Sequence, residues 1–286
     1  IAQTTDAQAY IKDHAGVEKP FVLFLSWGTP HNPYQTAPRK YQEMFDPEKI
    51  KLRPNGGSRK DLAGYYAHIA AMDDCMGELM QTIDDAGIRD NTILVFTSDH
   101  GDMLGSQGEQ RKQKPWDESV CVPFLVRYPQ AHGAQGRKIE MPIGTPDIMP
   151  TLLGLSGIES PSTVEGDDVA EVIRNGKDPS DRAVMIQCVA PFGEWRKGKE
   201  YRGIRTARYT YARDLNGPWL LYDNKRDPYQ QTNLVDQPEQ SELRQRLDRK
   251  LNALLTEQND EFLSGKAYIA KWGYTVDGSG AVPYRN

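Results

Sequence analysis

The chain is poor in cysteine. It has three in 286 residues, Cys75, Cys121 and Cys188. An odd count argues against a disulfide framework, and their spacing matches no zinc pattern. Cys75 on a helical apolar face and Cys121 ahead of a strand both read as buried small hydrophobes. No apolar run approaches the length of a membrane span; the longest are strand-sized. An excess of basic charge is also lacking: the formal net charge of −5 gives no reason to expect nucleic acid or an anionic membrane as partner. There is no signal peptide and no initiator Met. Ile1-Ala2-Gln3-Thr4 reads like the interior of a larger chain, so the compartment stays open. Repeats and low-complexity segments are absent too.

What is present suits a globular α/β protein. Hydrophobic residues make up 38%, with 14 Tyr and 5 Trp, enough for a real core, and the length favours two units. Thr5 to His14 reads as a short helix. Pro20 introduces a buried strand, Phe21 to Leu25, and a loop from Ser26 to Pro38 carries His31. After an exposed loop at 52–58 comes a long helix, Arg59 to Ala86. There Leu62, Tyr66, Ile69, Met72, Met76, Leu79 and Ile83 recur at three- and four-residue spacing, and Gly87 is a natural C-terminal stop. Ile93 to Phe96 is a second strand, so the strand–helix–strand order implies a parallel sheet. Val122 to Tyr128 is a third strand, and Thr145 to Ser156 a helix with Thr145 as N-cap. From about residue 181 the pattern becomes a meander: Ala183–Val189, Arg202–Thr206, Tyr209–Arg213 and Trp219–Asp223, closed by an amphipathic helix from Leu234 to Phe262. The expected division is 1–180, an α/β portion, and 181–286, an antiparallel sheet with a helix.

The chemistry concentrates where the second strand stops, in Thr97-Ser98-Asp99-His100-Gly101-Asp102. Ligands of parallel α/β sheets gather beyond the carboxyl ends of strands. A carboxylate beside an imidazole is half of a divalent metal site. The competing reading is a plain Asp-rich turn with Gly101 left-handed.

Several motifs then stand in one order: "PFVLFLSWGTPHNPY" from Pro20, "YYAHIAAMDDCMGELMQTIDDAGIRDNTILVFTSD" from Tyr65, then "HGDMLG", "RKQKPWDESVCVPFLVRYP", "TPDIMPTLLGLSGI" and "LLYDNKRDPYQQTNL". Together they resemble the type I sulfatases, the arylsulfatase-like branch of the alkaline phosphatase superfamily. The resemblance covers nearly the whole chain and corresponds to the C-terminal half of such an enzyme. It implies an alkaline-phosphatase-like sheet with flanking helices and hydrolysis of sulfate esters by a formylglycine nucleophile with one calcium ion. It implies a sulfated small molecule or carbohydrate as substrate, and a secreted, periplasmic or lysosomal setting. By position, Asp99 and His100 match the second pair of calcium ligands, with His100 where the family often has Asn. His31 matches the sulfate-contacting histidine; without the resemblance it reads as a loop imidazole. Lys112 matches the sulfate-binding lysine, seven residues before Ser119 of the Glu118-Ser119 pair. Lys114 is its rival, expected to face solvent, and both could equally belong to a solvated basic turn.

The nucleophile motif, C/S-x-P/A-x-R, is absent. Cys121-Val122-Pro123-Phe124-Leu125 has Leu where Arg is required, and Cys188-Val189-Ala190-Pro191 fails as well. The first acidic calcium pair is absent too. Half a site binds calcium weakly or not at all. The chain is therefore expected to be inactive alone, with a missing N-terminal half as partner. It could be part of a split enzyme, a fragment of a longer one, or a non-catalytic remnant. A phosphonate or phosphodiester hydrolase of the same superfamily is the enzymatic alternative. A long bare sheet edge would argue for the missing half. His14, His68 and His132, and Asp73 with Asp74, read as structural; Trp116, Glu194, Trp195, Arg202 and Arg205 are candidates to reach a sugar, with structural or solvated roles favoured for each.

Overall fold

A computed structural model describes residues 1–179, 181–191, 198–278 and 281–283. Glu194 and Trp195 lie outside them. The described chain forms two compact units that interleave in sequence: 1–97 with 104–109 and 124–136, and 98–103 with 110–123 and 137–286.

In the first unit a helix, Ala2–His14, packs on the long helix Arg59–Asp85. Ala7 and Ile11, four apart, meet Leu79 and Ile83, also four apart, with Leu25 and Trp27 against them. The Ser58 hydroxyl caps the long helix by accepting from the Asp61 N–H. Gly87, at φ +71°, supplies the left-handed turn that ends it. Loop 52–58 is less open than expected: the Ser58 N–H donates to the Leu104 carbonyl and the Gln107 N–H to that of Asn55.

Two expectations about strands are corrected. β1 (Leu94–Thr97) and β2 (Phe124–Arg127) pair antiparallel, and both sheets among the described residues are antiparallel. The Phe21–Leu25 segment joins no ladder, so no strand–helix–strand unit closes and nothing forces a parallel pair. Instead of filling a core, Val22 is 79% exposed, Phe24 86% and Leu125 of β2 62%.

The second unit is built on the meander. β3 (Ala183–Cys188), β4 (Tyr201–Thr206), β5 (Tyr209–Asp214) and β6 (Gly217–Asp223) pair in sequence order, antiparallel throughout. Alternation sends Ile204, Tyr211 and Leu221 to one face, where Leu247, Leu251 and Leu255 of the helix Ser241–Glu257 cover them. That helix is shorter than expected, with a 3-10 turn from Pro238 ahead of it and Asn259, at φ +52°, just beyond its end. The opposite face gathers Cys188, Tyr201, Ala212, Leu220 and Tyr222 against Trp116 and Trp219. The helix Thr145–Leu155 starts one residue earlier than expected, with Gly144 as N-cap. Asp147 of that helix receives Arg182 at 2.6 Å.

No helix of the described residues is long and apolar enough to cross a membrane.

Candidate functional site

Asp99 and His100 stand two and three residues past the end of β1, in a turn knitted by short-range bonds. The Asp99 carboxylate accepts from the His100 N–H (2.9 Å) and the Ser98 hydroxyl (3.3 Å), and Ser98 also donates to the His100 carbonyl. His100 Nδ1 lies 2.7 Å from the Gly101 carbonyl, which has only lone pairs to offer, so this nitrogen carries the proton. In the neutral ring Nε2 is then a bare lone pair. It sits 3.3 Å from Asp99 Oδ2. Two acceptors this close repel unless a proton or a cation lies between them. Two ligands about 2.4 Å from a common calcium ion, set at a right angle, are about 3.4 Å apart. The pair thus fits as two adjacent ligands of one divalent cation, with Asp99 largely open to solvent. Two ligands are far short of the six to eight that calcium takes, and no group of three or more His, Cys, Asp or Glu forms a candidate metal cluster among the described residues.

Gly101 explains how the turn is held, and the reason differs from the plain-turn reading. Its φ is not positive. What it needs is closeness: a Cβ there would overlap the Glu118 carbonyl oxygen and lie 2.9 Å from the carbonyl carbon. The Gly101 N–H donates to the Ser119 carbonyl at 2.8 Å, and the Met103 N–H to that of Arg111 at 2.7 Å. The Asp99–His100 turn and the Lys112 loop are therefore laced together within one unit. His31 belongs to the other unit, in the loop after Phe21–Leu25, exposed and with Nδ1 3.0 Å from the Asn32 carbonyl.

The Lys112 loop is strained. Arg111 (φ +64°) and Gln113 (φ +69°) flank the lysine on both sides in the left-handed region. For residues with a Cβ this costs on the order of 1 kcal/mol each, and such outliers concentrate at functional sites. Lys114 does not face solvent as expected. It is buried, 6% exposed, with its N–H donating to the Ser119 hydroxyl.

Other candidates resolve into structural roles. His68 is buried, Nε2 is 3.2 Å from the Thr36 hydroxyl, and burial pulls its pKa below the ordinary value. His14 ends the first helix, stacked on Tyr10, and His132 accepts from the Tyr128 N–H; both lie in helices. Asp74 receives the Tyr41 hydroxyl at 2.7 Å. Arg202, 1% exposed, pairs with Asp260, and Arg205 grips Asp117 with two bonds of 3.1 Å. Cys75 is buried as expected, but Cys121 is exposed.

Residues 2–158 match the family model "Sulfatase", and residues 105–257 match "N-sulphoglucosamine sulphohydrolase, C-terminal". An ulvan-active sulfatase of Formosa agariphila is 44% identical over 99% of this chain and 57% of its own length. The chain belongs to the type I sulfatases of the alkaline phosphatase superfamily. Among solved structures, the yidJ protein of Bacteroides fragilis superposes with a TM-score of 0.81 at 29% identity, over 91% of this chain and 59% of that one. A protein in complex with its substrate D-glucosamine-2-N,6-O-disulfate superposes with a TM-score of 0.61 at 28% identity, over 73% of this chain and 44% of that one. This sulfatase chain thus spans a little over half the length of the curated relative it matches. The first family match encloses His31, Asp99, His100 and Lys112, so the four candidates lie within the sulfatase-like segment. Asp117 and Gln230 escaped the sequence reading. The signal was there, in the motif "DPYQQTNL", but nothing in one sequence says which side chain of that motif is buried or what it holds.

Proposed function

We propose that this chain supplies the metal-holding and sulfate-binding part of a sulfatase acting on sulfate esters of a carbohydrate, completed by sequence beyond these residues. The observation that carries the reading is the Asp99–His100 pair, with Nδ1 against the Gly101 carbonyl and Nε2 facing a carboxylate oxygen at 3.3 Å. Calcium bound there would polarise the sulfate ester, and a formylglycine in the remaining part would be the nucleophile. Within this chain, Asp99 and His100 contribute two ligands. The Lys112 ammonium neutralises negative charge that grows on the leaving oxygen in the transition state. The carbohydrate class follows from the relatives, one active on ulvan and one bound to a disulfated glucosamine. A covering part is supported by the exposure of Val22, Phe24 and Leu125, and by a two-stranded sheet whose outer edges are unpaired among the described residues.

The test compares the isolated chain with a protein in which it is joined to the remaining sulfatase segment carrying a matured formylglycine. The substrate is a sulfated polysaccharide such as ulvan, and the readout is released inorganic sulfate. Turnover is expected only from the joined protein, and Asp99→Ala is expected to abolish it. Metal-dependent turnover by the isolated chain, unaffected by Asp99→Ala, overturns the assignment. A joined protein that binds the polysaccharide but releases no sulfate points to the non-catalytic reading, and one that cleaves phosphonate esters instead points to the superfamily alternative.

A further inference from the structure

The helix Gly265–Lys271 ends in a pair of aromatic rings that the fold holds out to solvent. The Ser264 hydroxyl caps its start by accepting from the Ala267 N–H. Gly273, at φ +66°, sets its end: the Gly273 N–H donates to the Ala270 carbonyl and the Tyr274 N–H to that of Ile269. These two bonds are the left-handed glycine stop of a helix, and Tyr274 takes the place where an apolar residue usually covers the last turn. Tyr274 is nonetheless 53% exposed, and Trp272, edge to face with it at 6.1 Å, is 56% exposed. The Trp272 indole is stacked on the Tyr268 ring, with centroids 4.7 Å apart and planes 22° from parallel. Tyr268 is buried, and its hydroxyl donates to Asp260 Oδ1 at 2.7 Å. Asp260 in turn pairs with the buried Arg202 of β4. An open ring thus rests on a buried ring that is tied to the sheet.

We propose that Trp272, backed by Tyr268 and flanked by Tyr274, is a stacking platform for a sugar ring of the polysaccharide; the identity of that ligand rests on the sulfatase reading. Area argues against a protein as the occupant. A fully buried aromatic side chain covers about 150–250 Å², so the exposed parts of Trp272 and Tyr274 together offer about 200 Å². A stable protein interface takes about 800 Å² from each partner. Charge argues against a bare anion. From Glu261 to Gly278 the cations Lys266 and Lys271 are offset by Glu261 and Asp277, and Lys271 is already bonded to Glu261 at 2.8 Å. What is left is a small, flat apolar face with a polar rim. A pyranose ring has the matching shape: C–H bonds on one face, hydroxyls around the edge. The C–H bonds are weakly positive and the face of an indole weakly negative, so the two stack while the hydroxyls stay in water. A tryptophan already seated on Tyr268 loses little freedom when a ligand lands on it.

The test is a binding titration that needs no activity, made on the purified 286-residue chain and repeated on the joined protein. The probes are ulvan and heparin, two sulfated polysaccharides, and inorganic polyphosphate, a polyanion without sugar. The chain is expected to bind at least one of the polysaccharides. Trp272→Ala is expected to weaken that binding at least tenfold with Tm unchanged, because the ring is open to solvent. Trp272→Phe keeps a flat face and is expected to weaken it less than threefold. Neither substitution should alter the binding of polyphosphate. A wild-type chain that binds neither polysaccharide overturns the proposal, as does a folded Trp272→Ala chain that binds like wild type. An equal loss toward polyphosphate overturns it too, since charge and not the sugar face would then be read. Self-association that depends on Trp272 in sedimentation, or disappearance of the tenfold effect in the joined protein, also overturns it: a second copy or the remaining sulfatase segment would then cover the ring. A joined enzyme that releases no sulfate, alongside the expected binding pattern, counts against the sulfatase reading and leaves the platform standing. Sulfate release from ulvan with binding untouched by Trp272→Ala does the reverse.

Discussion

Gly101→Ala is the smallest change that should separate the Asp99–His100 turn from the Lys112 loop. The added methyl overlaps the Glu118 carbonyl oxygen, lies 2.9 Å from the carbonyl carbon and 3.4 Å from the Ser119 carbonyl carbon. Carbon atoms settle at about 3.5–4.0 Å, so the two backbones must part by at least about 0.6 Å, more for the oxygen. Backbone on both sides cannot swing away as a side-chain tip would. The Gly101 N–H to Ser119 bond, 2.8 Å in the native turn, is broken or stretched. Losing it costs about 1 kcal/mol and the overpacking about 1–3 kcal/mol. The expected sum is on the order of 3 kcal/mol, taken from the unit that holds the site. Thermal unfolding of the purified chain measures the first part, as a fall in Tm of several degrees. The functional part is read in the joined enzyme by calcium titration of activity. On the proposed calcium role of Asp99 and His100, moving the pair by more than half an ångström should raise the calcium needed for half-maximal rate at least tenfold. A Gly101→Ala variant with wild-type Tm and wild-type calcium dependence would refute the argument that glycine is there for closeness.

Three further outcomes are expected. In the joined enzyme Lys112→Ala should lower kcat about a hundredfold, on the order of 3 kcal/mol for one lost donor to developing charge; Lys114→Ala, because Lys114 is buried, should lower Tm while changing kcat less, and the reverse pattern would shift the loop register by two residues. Asp260→Ala should destabilise the chain by on the order of 3 kcal/mol in chemical denaturation, because it strands the buried Arg202 guanidinium. Burial pushes the Asp260 carboxyl up, but bonds from Arg202, Tyr268 and the Phe262 N–H hold it below the ordinary value; a depressed folded pKa means this stability is present above the unfolded pKa and is lost as pH falls through the folded one, so Asp260→Asn should remove that acid slope from the Tm profile.

The meander was legible because its signals are local. Tyr201 to Thr206, Tyr209 to Asp214 and Gly217 to Asp223 alternate within a few residues of one another, and short turns leave antiparallel pairing as the simple outcome. The long helix was legible for the same reason: one apolar face repeated over seven turns, with Gly87 after it. The sheet of the first unit was not. Phe21 to Leu25 has the composition of a buried strand, but composition states only a preference for being covered. Whether it is covered depends on strands elsewhere, and in this chain Val22 and Phe24 stay in solvent. The order of elements predicted a parallel crossover on the assumption that both strands enter one sheet, and that assumption failed with the first strand.

The site shows the same division between what a motif names and what holds it. Asp99, His100 and Lys112 could be singled out because carboxylate, imidazole and ammonium carry chemistry that a reader of one sequence can recognise. Gly101 and Gln230 carry none, and their work lies in distances: a backbone approach too close for a methyl group, and an amide that accepts from the Asp117 N–H and lies beside the Asp117 carboxylate. The lysine pair makes the point most directly. Spacing to Ser119 ranks Lys112 above Lys114. The loop then sets its own pattern, left-handed at Arg111 and again at Gln113, on either side of Lys112. Two lysines two positions apart in a basic run thereby acquire different surroundings, one half-buried and one deeply buried, which residue type and spacing alone do not encode.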